Sequence, residues 1–315
     1  MRVSAAQIAP VLLDRDRTLE KILDFSRRAA EGGARLIAFP EAVLPGYPVW
    51  LARTNASRFN DPLQKQIHAR YLDQGVELPG PVLDRLLEAS RDLNLSMVVG
   101  LMERGSAEGR GTLYATALSI DPNGDWFAHR KLVPTYEERL AWGPGDGYGL
   151  RVREIEGFKV GALNCWENWM PAARMSMYAQ GEEVHVSLWP GSPENTREIS
   201  KFTAREGRVY VVAASGVLRT TDIPLDVPGR DQIIASATDG ILQTGGSRIV
   251  APDGTTLACL DEPTEGLIFA DLDRSLLDGE RQNFDVCGHY HRPDVFNFEV
   301  NRKRSSVVEF LDTDQ

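Results

Sequence analysis

Short apolar runs alternate with amphipathic segments along almost the whole chain. The first run, RVSAAQIA, predicts a strand, and DRDRTLEKILDFSRRAAEGG after it predicts a helix. Around that stretch Leu13, Leu19, Ile22, Leu23 and Ala30 fall near helical spacing, and Gly32-Gly33 supplies a stop. ARLIAFPE reads as a buried strand that ends at a carboxylate, Glu41. DPLQKQIHARYLDQG and PVLDRLLEASRDLN predict two helices, and SMVVGLMER predicts the next strand.

After these the pattern changes. TLYATALSI and DWFAHRKLV are joined by DPNGD, a strong turn signal between two β-like runs, and predict a hairpin. A third run, FKVGALNC, ends at Cys165; helix signals cover 171–181, and EVHVSLWP predicts another strand. EISKFTAREGR reads as helix and VYVVAASGV as strand, and SRIVAPDGTTLACLDE is a second hairpin with Asp-Gly at its turn, followed by EGLIFADLD. Hairpins are mixed with strand-helix units, with no Pro-, Gly- or Ser-rich linker and no fixed-period repeat. The pattern predicts a single α/β domain over 1–284, a sandwich of two sheets covered by helices. The stretch 285–315 reads as an arm. The aromatic, His and Arg residues of FDVCGHYHRPDVFNFEVNRKRSS predict that it packs on a partner subunit.

Composition narrows the function. At 315 residues and 42% hydrophobic composition the chain can bury a large core within one domain. A net charge of −10 disfavours nucleic acid and anionic membrane surfaces as partners. Three scattered cysteines, Cys165, Cys259 and Cys287, exclude a disulfide framework and a CxxC metal site, and suit a reducing cytosol. Gln7 and Pro10 break the N-terminal apolar run before it makes a signal-peptide core, and no stretch reaches the ~20 apolar residues of a membrane span. A soluble, cytoplasmic protein is expected.

Cys165 stands at a predicted strand-to-helix turn, which projects its side chain out of the sheet and aims helical N–H groups at whatever binds there. A nearby cation lowers a thiol pKa, and the thiolate is the reactive form. Most cysteines are small buried hydrophobes, and Cys259, in the period-two strand TTLACLDE, reads that way. A thiol nucleophile needs a base, usually histidine. Of His68, His129, His185, His289 and His291, none heads a protease-like Cys-His signature. His185 reads as a satisfied core residue, and the pair in GHYHRPD lacks a third metal ligand. A carboxylate whose pKa is raised by burial is the alternative base. Glu41 qualifies: it ends an apolar strand, the following Pro45, Gly46 and Pro48 fix the loop, and burying a charge there is costly without purpose. Its plain alternative is a strand-end Glu capping the next helix. In HRKLVPTYEERLAWGPGDG, Lys131 follows a hairpin strand and Glu138 comes seven residues later. A surface charge in the triplet His129-Arg130-Lys131 is the plain alternative there, and GPGDG, with no Lys-Ser/Thr after it, reads as turns.

Taken jointly, FPEAVLPGYP, HRKLVPTYEERLAWGPGDG and NCWENWMPAARMSMYAQGEEVHVSLWP resemble the nitrilase superfamily of carbon–nitrogen hydrolases, in the family's order and spacing. GHYHRPDVFNFEVN is similar to the C-terminal signature of the true nitrilases, so the resemblance runs to about residue 302. It implies a four-layer αββα sandwich of two mixed β-sheets flanked by helices. It also implies a Glu-Lys-Cys triad in which Glu41 is the general base, Lys131 the cation and Cys165 the nucleophile. Glu138 matches a further glutamate that positions substrate and the leaving nitrogen. Cys-Trp-Glu is nitrilase-like, whereas Asn168 stands where many nitrilases have His, which bears on substrate preference. Trp166, Trp169 and Trp189 are implied to wall the pocket, and with Tyr47, Trp50 and Tyr136 they hint at an aryl-accommodating site.

The implied reaction is hydrolysis of an organic nitrile to the carboxylic acid and ammonia through a cysteine thioimidate and thioester, with no metal or organic cofactor. An amidase or carbamoylase on the same triad is the nearest rival, followed by a cyanide hydratase or dihydratase with a smaller pocket. A non-catalytic filament scaffold of the same fold is the rival from a different class. Some members of the superfamily build spiral assemblies through the tail, so a homo-oligomer, a dimer at least, is expected.

Overall fold

The computed structural model describes residues 1–105 and 109–305. Two six-stranded mixed sheets form its centre. In the first, Gly266–Asp271, Arg2–Gln7, Leu36–Ala38, Ser96–Arg104, Leu113–Ile120 and Trp126–Arg130 lie side by side in that order. In the second the order is Thr256–Leu260, Ser247–Val250, Tyr210–Ser215, Val184–Trp189, Phe158–Asn164 and Arg153–Ile155.

Period-two alternation builds the layers. Val3, Ala5, Leu36, Ala38 and Val98 of the first sheet pack on Val160, Val184, Val186 and Val212 of the second, a dry layer between the two. Their strand neighbours Ala6, Ile37, Met97 and Val99 face the other way, onto Leu19, Ile22 and Phe25 of the helix Arg15–Glu31 and Leu83 and Leu86 of Pro81–Leu93. A one-residue slip in register would exchange the two faces. The outer face of the second sheet, with Val211 and Ala213, is covered by Tyr178 and by Ile199 and Ala204 of the helix Pro193–Gly207. The result is the αββα sandwich that the sequence resemblance implied.

Local signals were accurate where they were complete. Asp14 accepts the N–H of Arg17 and starts the first helix, and Gly32 ends it. Leu13, assigned to that helical stripe by spacing, instead precedes the cap at φ 59° and packs in a different cluster with Ala42 and Trp50. Both hairpins form. The helix expected over 171–181 starts on time but is shorter, Pro171–Tyr178, because the chain tightens into turns in which the Gln180 and Gly181 N–H groups donate to the Met177 and Tyr178 carbonyls and Gly181 turns left-handed at φ 78°. Gly266–Asp271 closes the molecule by pairing antiparallel with Arg2–Gln7.

From 285 to 305 the chain forms no helix or strand, and Tyr290, Val295, Phe296 and Phe298 stand exposed. Its end returns to the body, where Arg304 and the Ser305 N–H both bind Asp146. Residues 306–315 of the expected arm lie outside the described residues. Among the described residues no helix is long and apolar enough to cross a membrane.

Candidate active site

Strands Leu36–Ala38 and Ser96–Arg104 run parallel, and Trp126–Arg130 shares their direction because two antiparallel pairings separate it from Ser96–Arg104. Phe158–Asn164 and Val184–Trp189 are likewise parallel. Glu41, Lys131, Cys165 and Trp189 all follow or end these strands, so the carboxyl edges of both sheets deliver them to one place. The Glu41 N–H donates to the Trp189 carbonyl at 3.3 Å and joins the two edges. Gly100 lets this happen, since a Cβ there would overlap the Pro40 carbonyl. Gly145 does the same for Lys131: its N–H donates to the Lys131 carbonyl at 2.7 Å, and a Cβ would strike that oxygen.

Three non-glycine residues at the site adopt left-handed backbone: Ala42 after Glu41 (φ 48°), Tyr136 before Glu137 (φ 47°) and Cys165 itself (φ 49°). Each such residue costs ~1–3 kcal/mol and persists only where its surroundings hold it. Others, such as Leu13, Glu156 and Arg208, lie elsewhere in the fold, but these three border one set of side chains.

Lys131 lies at the centre of that set. Its Nζ is 2.9 Å from Glu41 Oε1 and 2.6 Å from Glu138 Oε2, and all three side chains are at most 1% exposed. Trp142 lies beneath the ammonium, 5.6 Å from Nζ to the ring centroid. Glu138 is fixed on every side, because Oε2 also accepts the Thr135 N–H at 2.6 Å and Oε1 accepts the Tyr47 hydroxyl at 2.8 Å. Glu41 differs: neither of its oxygens accepts a well-directed hydrogen bond among the described residues. Its one charged partner among them is the Lys131 ammonium beside Oε1.

Glu41, Glu138 and Cys165 each present an oxygen or sulfur within 4.8 Å of the others. Such a set could hold a divalent cation, but the Lys131 ammonium already supplies positive charge between the carboxylates. Burial raises the Glu41 carboxyl from 4.5 to about 8 against the pull of Lys131, with Glu138 adding to the rise. Burial and the Glu41 charge push the Cys165 thiol up, opposed by Lys131 and by the Trp166 N–H, which donates to the sulfur. Burial works against the Lys131 charge, yet Cys165, Glu41 and Glu138 outweigh it and hold the ammonium protonated. The rise of the thiol keeps the resting proton on sulfur, with the Glu41 carboxyl group beside it.

Above these groups lies a cavity of about 190 Å³ lined by Tyr47, Thr135, Glu138, Cys165, Trp166 and Trp189, with Glu137, Ser192 and Asn195 at its polar side. Of the aromatic residues expected at the pocket, Tyr47, Trp166 and Trp189 line it and the others do not. Trp50 is buried edge-on against Tyr71 and borders a separate pocket. Tyr136 is turned outward by its left-handed backbone and is 83% exposed. Trp169 stacks on Trp166 at 5.7 Å and is half-exposed. Asn168 lies behind Cys165, where its Nδ2 donates to the Cys165 carbonyl at 2.7 Å.

The buried supports of the site carry no local sequence signal of their own. Glu167 accepts the backbone N–H groups of Leu132 and Asn164 and faces His129 Nε2 at 3.1 Å. Those bonds and the His129 contact outweigh burial and keep its carboxyl below the usual range. The only signal available was its place in CWEN, two residues after Cys165.

Residues 2–282 match the carbon-nitrogen hydrolase family. An aliphatic nitrilase of Sinorhizobium fredii (strain HH103) is 36% identical over 98% of this chain and 97% of its own length. An aliphatic nitrilase of Rhodococcus rhodochrous is 34% identical over 98% of this chain and 84% of its own length. A nitrilase of Pseudomonas syringae pv. syringae (strain B728a) is 37% identical over 98% and 92%. Among solved structures, an amidase from Nesterenkonia sp. superposes with a TM-score of 0.64 at 22% identity, covering 90% of this chain and 94% of that one, which is a likeness of fold.

Proposed function

The chain belongs to the carbon-nitrogen hydrolase family, and from that premise we propose that it is a nitrilase acting on short organic nitriles. The observation that carries the reading is the buried Glu41–Lys131–Glu138 cluster facing a thiol at the floor of a small cavity. At about 190 Å³ the cavity lies below the ~300–1,000 Å³ of sites that hold drug-sized ligands, which supports a short substrate over an extended aryl one.

Glu41 takes the Cys165 proton as sulfur adds to the nitrile carbon, and that proton passes to the nitrile nitrogen to give a thioimidate. Lys131 and the Trp166 N–H stabilise the charge that develops on nitrogen, in the manner of an oxyanion hole. Water then adds with Glu41 as base, and Glu138 steadies the nitrogen as the C–N bond breaks and ammonia leaves. A thioester remains. A second water, activated by Glu41, releases the carboxylic acid and returns the proton to Cys165. If the tetrahedral intermediate expels sulfur instead, the product is an amide.

Hydrolysis of amides or hydration of cyanide on the same triad makes the rival readings. The deciding experiment is ammonia release from matched nitriles and amides, aliphatic and aromatic, with Cys165→Ala as the blank. Fast release from short nitriles that vanishes in the variant is the expected result, and release confined to amides would overturn the nitrilase reading.

We also infer that 285–315 is an arm that packs on a second copy of this chain, since Tyr290, Phe296 and Phe298 stand exposed along it. Light scattering of the full chain should give a dimer or larger. Truncation at 284 should reduce the assembly. The free thiols suit a reducing, cytoplasmic setting.

A further inference from the structure

Behind the nucleophile lies a buried polar chain that the mechanism above does not use. Asn168 donates from Nδ2 to the Cys165 carbonyl at 2.7 Å. Its Oδ1 meets the Ser187 hydroxyl and His185 Nε2, each at 2.8 Å. On its far side His185 Nδ1 faces both oxygens of Glu182 at 3.0 Å. Glu182, His185 and Asn168 are all buried, and the Arg174 guanidinium clamps the Asn168 carbonyl at 2.7 Å.

Donor and acceptor accounting fixes the protons. The Asn168 nitrogen, not its oxygen, must face the Cys165 carbonyl, because two oxygens at that distance repel. Oδ1 is then an acceptor, and His185 Nε2 must carry hydrogen. Nδ1 faces a carboxylate and must carry hydrogen as well. A neutral imidazole offers one N–H, and this site asks for two. A protonated Glu182 could donate to Nδ1 instead, but two oxygens equidistant from the nitrogen fit a carboxylate that accepts.

We propose that Glu182, an imidazolium at His185 and Asn168 form a positioning relay that sets the peptide plane between Cys165 and Trp166. That plane carries both the Cys165 carbonyl and the Trp166 N–H, pointing in opposite directions because the peptide is planar and trans. Gripping the carbonyl from behind aims the N–H forward at the sulfur, where it is found. The grip is needed because Cys165, at φ 49°, would otherwise relax out of the left-handed region. Relaxation would turn the N–H away from the developing charge and move the thiol off Glu41. The inference rests on the reading of Cys165 as nucleophile.

The test has two arms, both on the full chain. Nitrogen-15 NMR of histidine-labelled protein, with the His185 signal assigned by its loss in His185→Gln, should find both ring nitrogens protonated. Alkylation of Cys165 by iodoacetamide, followed by mass, reports the poise of the thiol without any nitrile turnover. His185→Phe has no donor to give; we expect it to lower both kcat and the alkylation rate ~10–100-fold, the scale of a small misplacement of reacting groups. KM should move by less than about threefold. His185→Gln keeps one donor toward Asn168 and should recover most of both rates. A bare ring nitrogen in the wild-type protein overturns the proposal, as does a folded His185→Phe with both rates within about twofold of wild type. If His185→Phe does not fold, the wild-type spectrum and His185→Gln decide, and a His185→Gln as slow as an unsupported turn counts against the relay. A wild-type Cys165 inert to alkylation, beside a doubly protonated His185, would instead overturn the nucleophile assignment and leave the relay's geometry standing.

Discussion

Glu167 accepts the backbone N–H of Leu132 at 2.6 Å, which ties the turn bearing Cys165 to the strand end bearing Lys131. Its second oxygen accepts the Asn164 N–H at 2.8 Å, so one buried carboxylate sets the spacing between nucleophile and cation. Glu167→Gln replaces one accepting oxygen with a donor that meets another donor. We expect kcat to fall ~10–100-fold with a smaller change in KM, because geometry and not substrate affinity is lost. Stability should fall by ~1–3 kcal/mol for the buried N–H left unpaired. Urea unfolding alongside steady-state kinetics checks both, and a variant with normal kcat would show that the tie is not needed.

The nucleophile and base separate by magnitude. Cys165→Ala should fold, since a small buried side chain is replaced by a smaller one, and should release no ammonia. Glu41→Gln should lose ~10²–10⁴-fold, the scale of a positioned acid-base group. Near-normal turnover in either, measured as ammonia from a short nitrile, would remove that residue from its assigned role.

Much of this was legible because it is local. The strand Ser96–Arg104 was readable to the residue from the apolar run SMVVGLMER. The pairing of Gly266–Asp271 with Arg2–Gln7 was not, since no local signal links segments from opposite ends of the chain. At the site, Glu41, Lys131 and Cys165 were readable because each follows a strand in a recognisable motif. The aromatic wall was only half readable. A sequence does not distinguish Trp189, which lines the cavity, from Trp50, which packs on Tyr71. The supports of the site were hidden for a related reason: His129 looks like a surface residue in a basic triplet until the fold brings Glu167 within 3.1 Å.

Above about pH 8, where Glu41 ionises, Lys131 neutralises two carboxylates that are otherwise buried side by side. Lys131→Met keeps the stem and removes the charge. Turnover should fall ~10²–10³-fold, as when a charge-stabilising donor is lost, and stability should drop by ~3–5 kcal/mol, as when one partner of a buried ion pair is removed. Adding Glu138→Gln should restore part of the stability and none of the turnover. If the second substitution left the melting temperature where Lys131→Met put it, the two carboxylates would not be in conflict.

Glu41 carries a cost that its proposed role as base would require. Burial raises its carboxyl from 4.5 to about 8 in the folded protein. Between those values the folded state holds a proton that the unfolded chain has released, so the folded state binds more protons. Stability must then fall as pH rises through that window, by an amount on the order of a few kcal/mol. Glu41→Gln cannot ionise and has no such slope. Its melting temperature relative to wild type should therefore climb from pH 5 to pH 9, while its activity stays low. The same shift governs catalysis with the opposite sign: the ionised form accepts the Cys165 proton, so kcat/KM should rise with pH up to about 8, and that limb should be missing in the residual activity of Glu41→Gln. Scanning calorimetry and pH-rate profiles on the two proteins test both signs together. A melting-temperature gap that shrank with pH would mean that the ionised carboxylate is welcome in the fold, and that Lys131 outweighs the burial of Glu41.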